Sequence, residues 1–384
     1  MRRIWFLFAD VPWFSGQSEC TRLVVDNLDR QKSALCLLRM PALERNRPPL
    51  GRWLRYFPRL ACAWIRCVPM GFSRRSVLHV SLGQTWTSLI RDGVPLWLAR
   101  ARRRKKRVVI SLNGSNFMEW NGQRLVARVF IRLLKLAQVV TVVGESQQKR
   151  LIALGIPRET VRIVPNTCDV TCLDERQVSE KQQGADPIRI LFLSSLIDTK
   201  GYPEYLEAMT ALSAKPGPFI EAILCGPLTA SQFSERFQSN MEAGQWIESK
   251  IAEINSSSRA SARWIPGARG DAKWVLYQKA NIFVLPSRYR VEAQPVVLLE
   301  AMAHGCAIIT TSIGEIRTIL SENEARFLSA GSAEEVAEAI EQLVLDAAER
   351  QRLALAGLRR FQREFALNRY VQRWEGIFAE VASA

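Results

Sequence analysis

Short, nearly unbroken apolar runs punctuate the first half of the chain, at Ile4–Ala9, Ala34–Leu38, Val77–Ser81, Val108–Leu112, Val139–Val143 and Val161–Val164. Such runs suit strands buried on both faces of a parallel sheet. Between them lie longer stretches with apolar residues three and four apart, at Thr21–Arg30, Leu89–Arg104, Arg124–Ala137 and Glu145–Leu154, which predict helices. The alternation is the βαβ rhythm of a doubly wound sheet. It pauses at residues 173–187, which are polar, carry a Gly and a Pro, and show no periodic apolar face. That stretch reads as a linker.

A second rhythm follows. It predicts strands at Ile188–Leu193, Ile220–Leu224, Arg263–Ile265, Ile282–Leu285 and Ala307–Thr311. Its helices are predicted at Pro203–Leu212, Trp246–Ile254, Ala272–Lys279, Pro295–His304 and Ala333–Asp346. The expected organisation is therefore α/β, with a first Rossmann-like domain over 1–172, a linker over 173–187 and a second such domain over 188–365. The last stretch, 366–384, spaces Tyr370, Trp374 and Phe378 along one helical face, and we expect it to pack back on the first domain.

The chain has 384 residues, enough for two domains, and 48% of them are hydrophobic, enough for two cores. The net charge of +16 is unevenly placed: residues 1–180 hold 31 Lys+Arg against 13 Asp+Glu. The basic first half is expected to favour polyanions. Eight cysteines without a CxxC pair, and only two histidines, argue for buried reduced thiols rather than a zinc site. The apolar run at Ile4–Ala9 is shorter than the roughly 7–15 residues of a signal-peptide core. No apolar run reaches the ~20 residues of a membrane span. A cytoplasmic protein is expected.

In open α/β sheets, ligands bind beyond the carboxyl ends of the strands. The most informative stretch lies in such a place. Pro286–Gly305 (PSRYRVEAQPVVLLEAMAHG) leaves a strand, opens a helix near Pro295 and closes it with Gly305. Its two carboxylates, Glu292 and Glu300, stand in the loop and in the helix, and a charge at Glu300, inside an apolar run, needs a partner. A second strand–loop–helix passage, Ile190–Tyr202, carries Lys200 just before its helix, where an ammonium can neutralise a leaving diphosphate.

These residues together resemble the signature of the retaining glycosyltransferase family 4, with its paired glutamates at Glu292 and Glu300. The resemblance implies a GT-B fold, two Rossmann-like domains facing a central cleft. It implies that Glu292, with the loop amides around Ala293 and Gln294, binds the donor sugar. It gives Glu300 the ribose hydroxyls and Lys200 the donor pyrophosphate, so that Glu292 and Lys200 are the catalytic pair. Ala293 stands where many members have Gly, and Ser195 where many have a phosphate-binding Arg. With that Arg absent, backbone amides or Arg288 and Arg290 are left to assist Lys200. Gly226, in Leu224-Cys225-Gly226-Pro227, matches the family's mid-domain strand end and reads as donor-binding. Trp264–Gly267 precedes the second signature as the family's base-binding region does, and Thr310–Glu315 resembles its T-x-x-G-G segment, with Glu315 in place of the second Gly. In the first domain, Gly16 falls where members carry a phosphate-touching Gly-rich loop. Asn113 falls where many have His-Gly at the reaction centre, on the acceptor side.

The chain has no D-x-D, no P-loop, no dinucleotide fingerprint and no nucleophile elbow. No metal and no cofactor is expected beyond the nucleotide diphosphate sugar as substrate. The implied reaction is transfer of a sugar, with retention, to a hydroxyl of a glycan or lipid-linked saccharide in bacterial surface polysaccharide synthesis. The competing readings are an epimerase or phosphorylase on the same fold, and a non-catalytic sugar-nucleotide or membrane-binding scaffold. The run Arg102–Arg107 and the Arg- and aromatic-rich stretch Arg45–Arg75 point to an anionic membrane surface, the inner face of the plasma membrane. No nucleic-acid-binding motif is present, and nucleic acid is not an expected partner.

Overall fold

The apolar runs become two six-stranded parallel sheets in a computed structural model that describes residues 2–10, 16–41, 49–72, 76–101, 107–120, 124–184, 186–229 and 233–383. In chain order the first half runs β1 (Arg2–Asp10), α1 (Gly16–Asn27), β2 (Ser33–Pro41), α2 (Pro49–Phe72), β3 (Val77–Ser81), α3 (Trp86–Ala101), β4 (Val108–Ser111), α4 (Leu125–Leu134), β5 (Val139–Val142), α5 (Glu145–Ala153) and β6 (Val161–Ile163). The second half runs α6 (Glu175–Gln183), β7 (Ile188–Leu193), α7 (Tyr202–Ser213), β8 (Ile220–Cys225), α8 (Asn240–Asn255), β9 (Ala260–Ile265), α9 (Asp271–Lys279) and β10 (Ile282–Leu285). It continues with α10 (Val296–Ala303), β11 (Ala307–Thr310), α11 (Ile316–Ile319), β12 (Ala325–Phe327), α12 (Ala333–Leu345), α13 (Ala347–Arg360) and α14 (Leu367–Ser383).

The chain divides into two units. Unit 1 comprises Met1–Asp169 with Leu367–Ala384, and unit 2 comprises Val170–Ala366. In unit 1 the strand order is β2-β1-β3-β4-β5-β6, and the order reverses between β1 and β3. Ile4, Phe6 and Val77 face a core completed by α1 and by Tyr370, Trp374 and Phe378 of α14. Leu7, Leu78, Val80 and Ile110 face the other way, into a core completed by α2, α3, α4 and α5. The spacing of the three α14 aromatics is thus met by one buried helical face.

In unit 2 the order is β12-β11-β10-β7-β8-β9, with its reversal between β7 and β10. Ile282 pairs with Ile190, and Phe283 with Leu191, so β7 and β10 run side by side. The loops that leave their carboxyl ends emerge as neighbours, at the place where ligands bind in such sheets.

The structure adds β12 and α13, which the sequence pattern does not predict, and two further segments differ from the expectation. Residues 175–183, inside the expected linker, form α6. Asp174 and Gln177 cap its start reciprocally. Val178 is fully buried against Ala354 and Leu358 of α13, and Gln182 donates to the carbonyls of Asn281 and Gly305. The apolar signal is one valine on a polar helix, too weak to show as a period. The Arg- and aromatic-rich stretch contains α2, a helix of 24 residues. Its mixed exposed surface obscured its period. Arg102–Lys106 of the basic run, and Arg45–Pro48 and Ser73–Arg75 of the aromatic-rich stretch, lie outside the described residues.

All eight cysteines are unpaired, and Cys62 is exposed rather than buried. His79 sits among Phe6, Trp374 and Phe378, and burial pushes its imidazole down to about 3, so it is a neutral core residue. Among the described residues, no helix is long and apolar enough to cross a membrane.

Candidate active site

The site grows from the sheet reversal in unit 2. After β7 the chain passes through Ser194 and Ser195 into a 3₁₀ turn, Asp198–Lys200, and enters α7. After β10 it passes through Ser287 and Glu292 and enters α10. The two loops are joined directly, because the Arg288 amide donates to the Thr199 carbonyl at 2.7 Å. That junction sets Lys200 beside the second loop. Lys200 Nζ lies 3.4 Å from Glu292 Oε2 and 5.2 Å from the centre of the Tyr289 ring. Both side chains are largely buried, so their pairing is shielded from solvent far more than a surface ion pair.

Glu292 is held from several directions. The Ser287 hydroxyl donates to Glu292 Oε2 at 3.4 Å, and the Glu292 amide donates to the Tyr289 carbonyl at 2.9 Å. The following residue, Ala293, accepts from the Glu315 amide at 2.8 Å. Gln294, buried, donates through Nε2 to Thr318 Oγ1 at 3.4 Å. The segment around Gly314 closes over this loop. Gly314 has φ +59°, and a Cβ there would stand 2.3 Å from the Glu292 carbonyl oxygen, so only glycine allows that approach. The expected Ala293 and Gln294 therefore do belong to the loop around Glu292.

Ser195 is exposed at the mouth of the β7 loop, beside Ser194, whose amide donates to the Cys225 carbonyl. Gly226, with φ +148°, presses on the same place. A Cβ at Gly226 would lie 1.7 Å from the Ser194 carbonyl oxygen. The Trp264 indole donates to the Gly226 carbonyl at 3.1 Å and ties the end of β9 to this corner. Arg288, considered as a substitute cation, pairs with Glu204 at 2.7 Å.

Glu300 forms a separate pair. It is nearly buried in α10, and Lys273 of α9 meets its Oε1 at 2.6 Å. The Lys273 ammonium also lies over the Trp274 ring, 4.1 Å from its centre. His304 stacks against both Trp274 and Tyr277, its Nδ1 2.8 Å from the Glu300 carbonyl oxygen. Burial pushes its imidazole down to about 4, so it is neutral near pH 7.

Two residues of this site escaped the sequence reading. Lys273 precedes Glu300 by 27 positions, and no local pattern links them. Asp198 is buried, and its carboxylate accepts from the amides of Thr199, Glu235, Arg236 and Phe237. It locks the turn that carries Lys200 to the loop after β8. A lone Asp before Thr-Lys-Gly reads as solvated, and only the fold reveals the four donors.

Gly16 and Asn113 belong to unit 1. Gly16 opens α1. Asn113 is half-buried in the loop after β4, and two buried glutamines hold that loop. Gln84 donates to the Gly114 carbonyl at 2.8 Å and accepts from the Phe117 amide at 3.1 Å. Gln147 donates to Ser115 Oγ at 2.8 Å and accepts from the Val143 amide at 3.1 Å. Among the described residues, no group of three or more His, Cys, Asp or Glu side chains is placed to hold a metal ion.

Comparison with known proteins agrees with this fold. Residues 174–360 match the profile of glycosyl transferases group 1, and residues 23–171 match that of glycosyltransferase family 4. No curated relative matches the sequence. The fold is similar to that of Anabaena HepE, solved with UDP, with a TM-score of 0.71 at 16% identity over 99% of this chain and 100% of that one. It is similar to sucrose-phosphate synthase of Thermosynechococcus elongatus, with a TM-score of 0.69 at 16% identity over the whole of both chains. It is also similar to the lipopolysaccharide outer core galactosyltransferase WaaB, with a TM-score of 0.62 at 13% identity over 98% of this chain and 99% of that one. With both halves matching glycosyltransferase profiles and two doubly wound sheets of this arrangement, the chain is a glycosyltransferase of the GT-B type.

Proposed function

We propose that the protein transfers a sugar from a nucleoside diphosphate sugar, with retention of anomeric configuration, to a hydroxyl of a glycan or lipid-linked saccharide. The observation that carries this reading is the Lys200–Glu292 pair at the sheet reversal of unit 2. An ammonium and a carboxylate already paired can exchange partners at little electrostatic cost. When the donor enters, Lys200 turns to the diphosphate, and Glu292 accepts hydrogen bonds from the sugar. Glu300 takes the ribose hydroxyls, with Lys273 holding its carboxylate in place.

In the reaction the bond from the anomeric carbon to the diphosphate oxygen breaks, and its electron pair leaves with the diphosphate. Lys200 stabilises that charge, which is larger in the transition state than in the bound donor. The acceptor oxygen forms the new bond to the anomeric carbon, and its proton passes to the departing diphosphate. No step is assigned to a metal. HepE has been solved with UDP-glucose, which supports a UDP-sugar as the first donor to try, and the WaaB likeness supports a surface-saccharide setting. The strongly basic unit 1 supports attachment to the inner face of the plasma membrane, where a lipid-linked acceptor would be found.

The test is release of nucleoside diphosphate from a panel of UDP-, GDP- and ADP-sugars, with and without membrane extract. One donor turned over in the presence of extract, by the parent protein but not by Glu292→Ala or Lys200→Ala, is the expected result. Nucleotide binding without turnover of any donor would instead make the protein a sugar-nucleotide-binding scaffold.

A further inference from the structure

One helical face of unit 1 carries a feature that the transfer reaction does not use. Helices α2, α3 and α4 cover one face of the unit 1 sheet. The Trp64 indole donates to the Arg91 carbonyl at 3.0 Å and joins α2 to α3. At 3.6 residues per turn, α2 divides into three arcs. Tyr56, Leu60, Ala63 and Cys67 form the inner arc and are buried. Leu54, Phe57, Ile65 and Val68 form the next, and they are 67%, 58%, 68% and 42% exposed. Arg55, Arg59 and Arg66 form the third, and all are exposed. Trp53 stacks on Phe57, with ring centres 5.3 Å apart, at the border of the apolar arc.

The neighbouring helices continue the same character. Ile90 and Trp97 of α3 are 54% and 61% exposed. Arg128 and Arg132 of α4 and the adjoining Arg124 and Lys135 are exposed and spaced along one side of that helix. The three helices contain one acidic residue, Asp92, and it is closed in a buried two-bonded pair with Arg91.

We propose that this face, with α2 at its centre, is a docking surface for an anionic lipid bilayer. Leu54, Phe57, Ile65 and Val68 enter the boundary between headgroups and acyl chains, and Arg55, Arg59 and Arg66 meet the lipid phosphates. The chemistry separates this occupant from others. A second copy docked by a two-fold axis would set arginines against arginines, with no acid to relieve them. A nucleic acid would satisfy the arginines but leave the aliphatic arc against a hydrated backbone. An anionic bilayer offers both a phosphate layer and an apolar layer beneath it. The inference deepens the attachment proposed above and rests on it, and it names the surface responsible.

The experiment is sedimentation of the full-length protein with vesicles of phosphatidylcholine, with and without phosphatidylglycerol. Nucleotide release is measured in parallel on every variant, so that loss of turnover and loss of docking are read separately. The parent protein is expected to bind the anionic vesicles and not the neutral ones. Arg55→Glu/Arg66→Glu is expected to weaken binding by at least roughly fivefold per arginine. Phe57→Ser/Ile65→Ser, at exposed positions, is expected to weaken it on the order of tenfold. The control Arg176→Glu/Arg352→Glu, exposed in unit 2, is expected to leave binding unchanged. Unchanged binding in both α2 variants would overturn the proposal. So would loss in the arginine variant alone, which would mark a purely electrostatic site. Failure of the parent protein to bind vesicles, with a dimer in solution that the α2 variants dissolve, would assign the face to a second copy and overturn it too.

Discussion

Units 1 and 2 are built alike, each a six-stranded parallel sheet between helices, yet they are specialised in opposite ways. Unit 1 carries 32 Lys+Arg against 12 Asp+Glu, a net charge of +20; unit 2 carries 21 against 25, a net of −4. The fold tolerates both, because net charge governs partners and solubility rather than architecture. The difference in strand order matters more for chemistry. Unit 2 reverses between its first and fourth strands, β7 and β10, and there the loops are cross-linked by hydrogen bonds and close backbone contacts until Lys200 and Glu292 meet. Unit 1 reverses between β1 and β3, and its loop after β4 is held by neutral glutamine side chains. The buried ion pairs Lys200–Glu292 and Lys273–Glu300 stand in unit 2, and the net positive charge is concentrated in unit 1.

The contrast is most readily broken by turnover. Lys200→Ala and Glu292→Gln are expected to lower nucleoside diphosphate release by about 10²–10³-fold. Asn113→Ala, in unit 1, removes one neutral hydrogen-bonding group and is expected to cost at most about tenfold. Equal losses at all three would end the claim that unit 2 holds the chemistry. A smaller effect, on folding, is expected from Gly226→Ala. Its Cβ must displace the Ser194 carbonyl, costing about 1–3 kcal/mol, read as a lower denaturant midpoint. The unit 1 counterpart is Gln147→Leu, which removes the side-chain acceptor of the Val143 amide and is expected to cost about 1–3 kcal/mol. Its loss of turnover should not exceed its loss of folded protein.

The pH response sharpens the comparison further, because each unit buries one neutral histidine. Burial depresses both folded-state pKa values, to about 3 for His79 and about 4 for His304. The unfolded chain therefore binds protons that the folded chain refuses. This contribution is complete above about pH 6.5 and shrinks as pH falls, through the window down to about 4 for His304 and about 3 for His79. We expect His304→Phe and His79→Phe to flatten the acid limb of stability measured by denaturant titration. A limb as steep as in the parent protein would show that neither histidine controls it.

Much of the sheet architecture could be read in advance. Val77–Ser81, Ile188–Leu193 and Ile282–Leu285 were predicted to the residue, because central parallel strands are apolar on both faces and their ends are sharp. The loops bearing Lys200 and Glu292 were found because each follows such a strand and opens a helix. What escaped was of two kinds. Helix α6 shows the core only Val178 among its apolar residues, and α2 turns as much apolar surface outward as inward, so neither gives a clean period. Lys273, Asp198, Gln84 and Gln147 act through partners distant in sequence, where no spacing rule applies.

The sequence by itself determined most strands of the two sheets, their alternation with helices, and the identity of the carboxylates and the lysine, since local apolar pattern and motif spacing are properties of neighbours along the chain. Only the tertiary structure decided that Lys200 is paired with Glu292 and Lys273 with Glu300, that Asp198 fastens the lysine turn, and that α2 leaves an apolar arc beside its arginines. Those are outcomes of burial and distance, set when β7 and β10 become neighbours and when α2 presents only one of its arcs to the core.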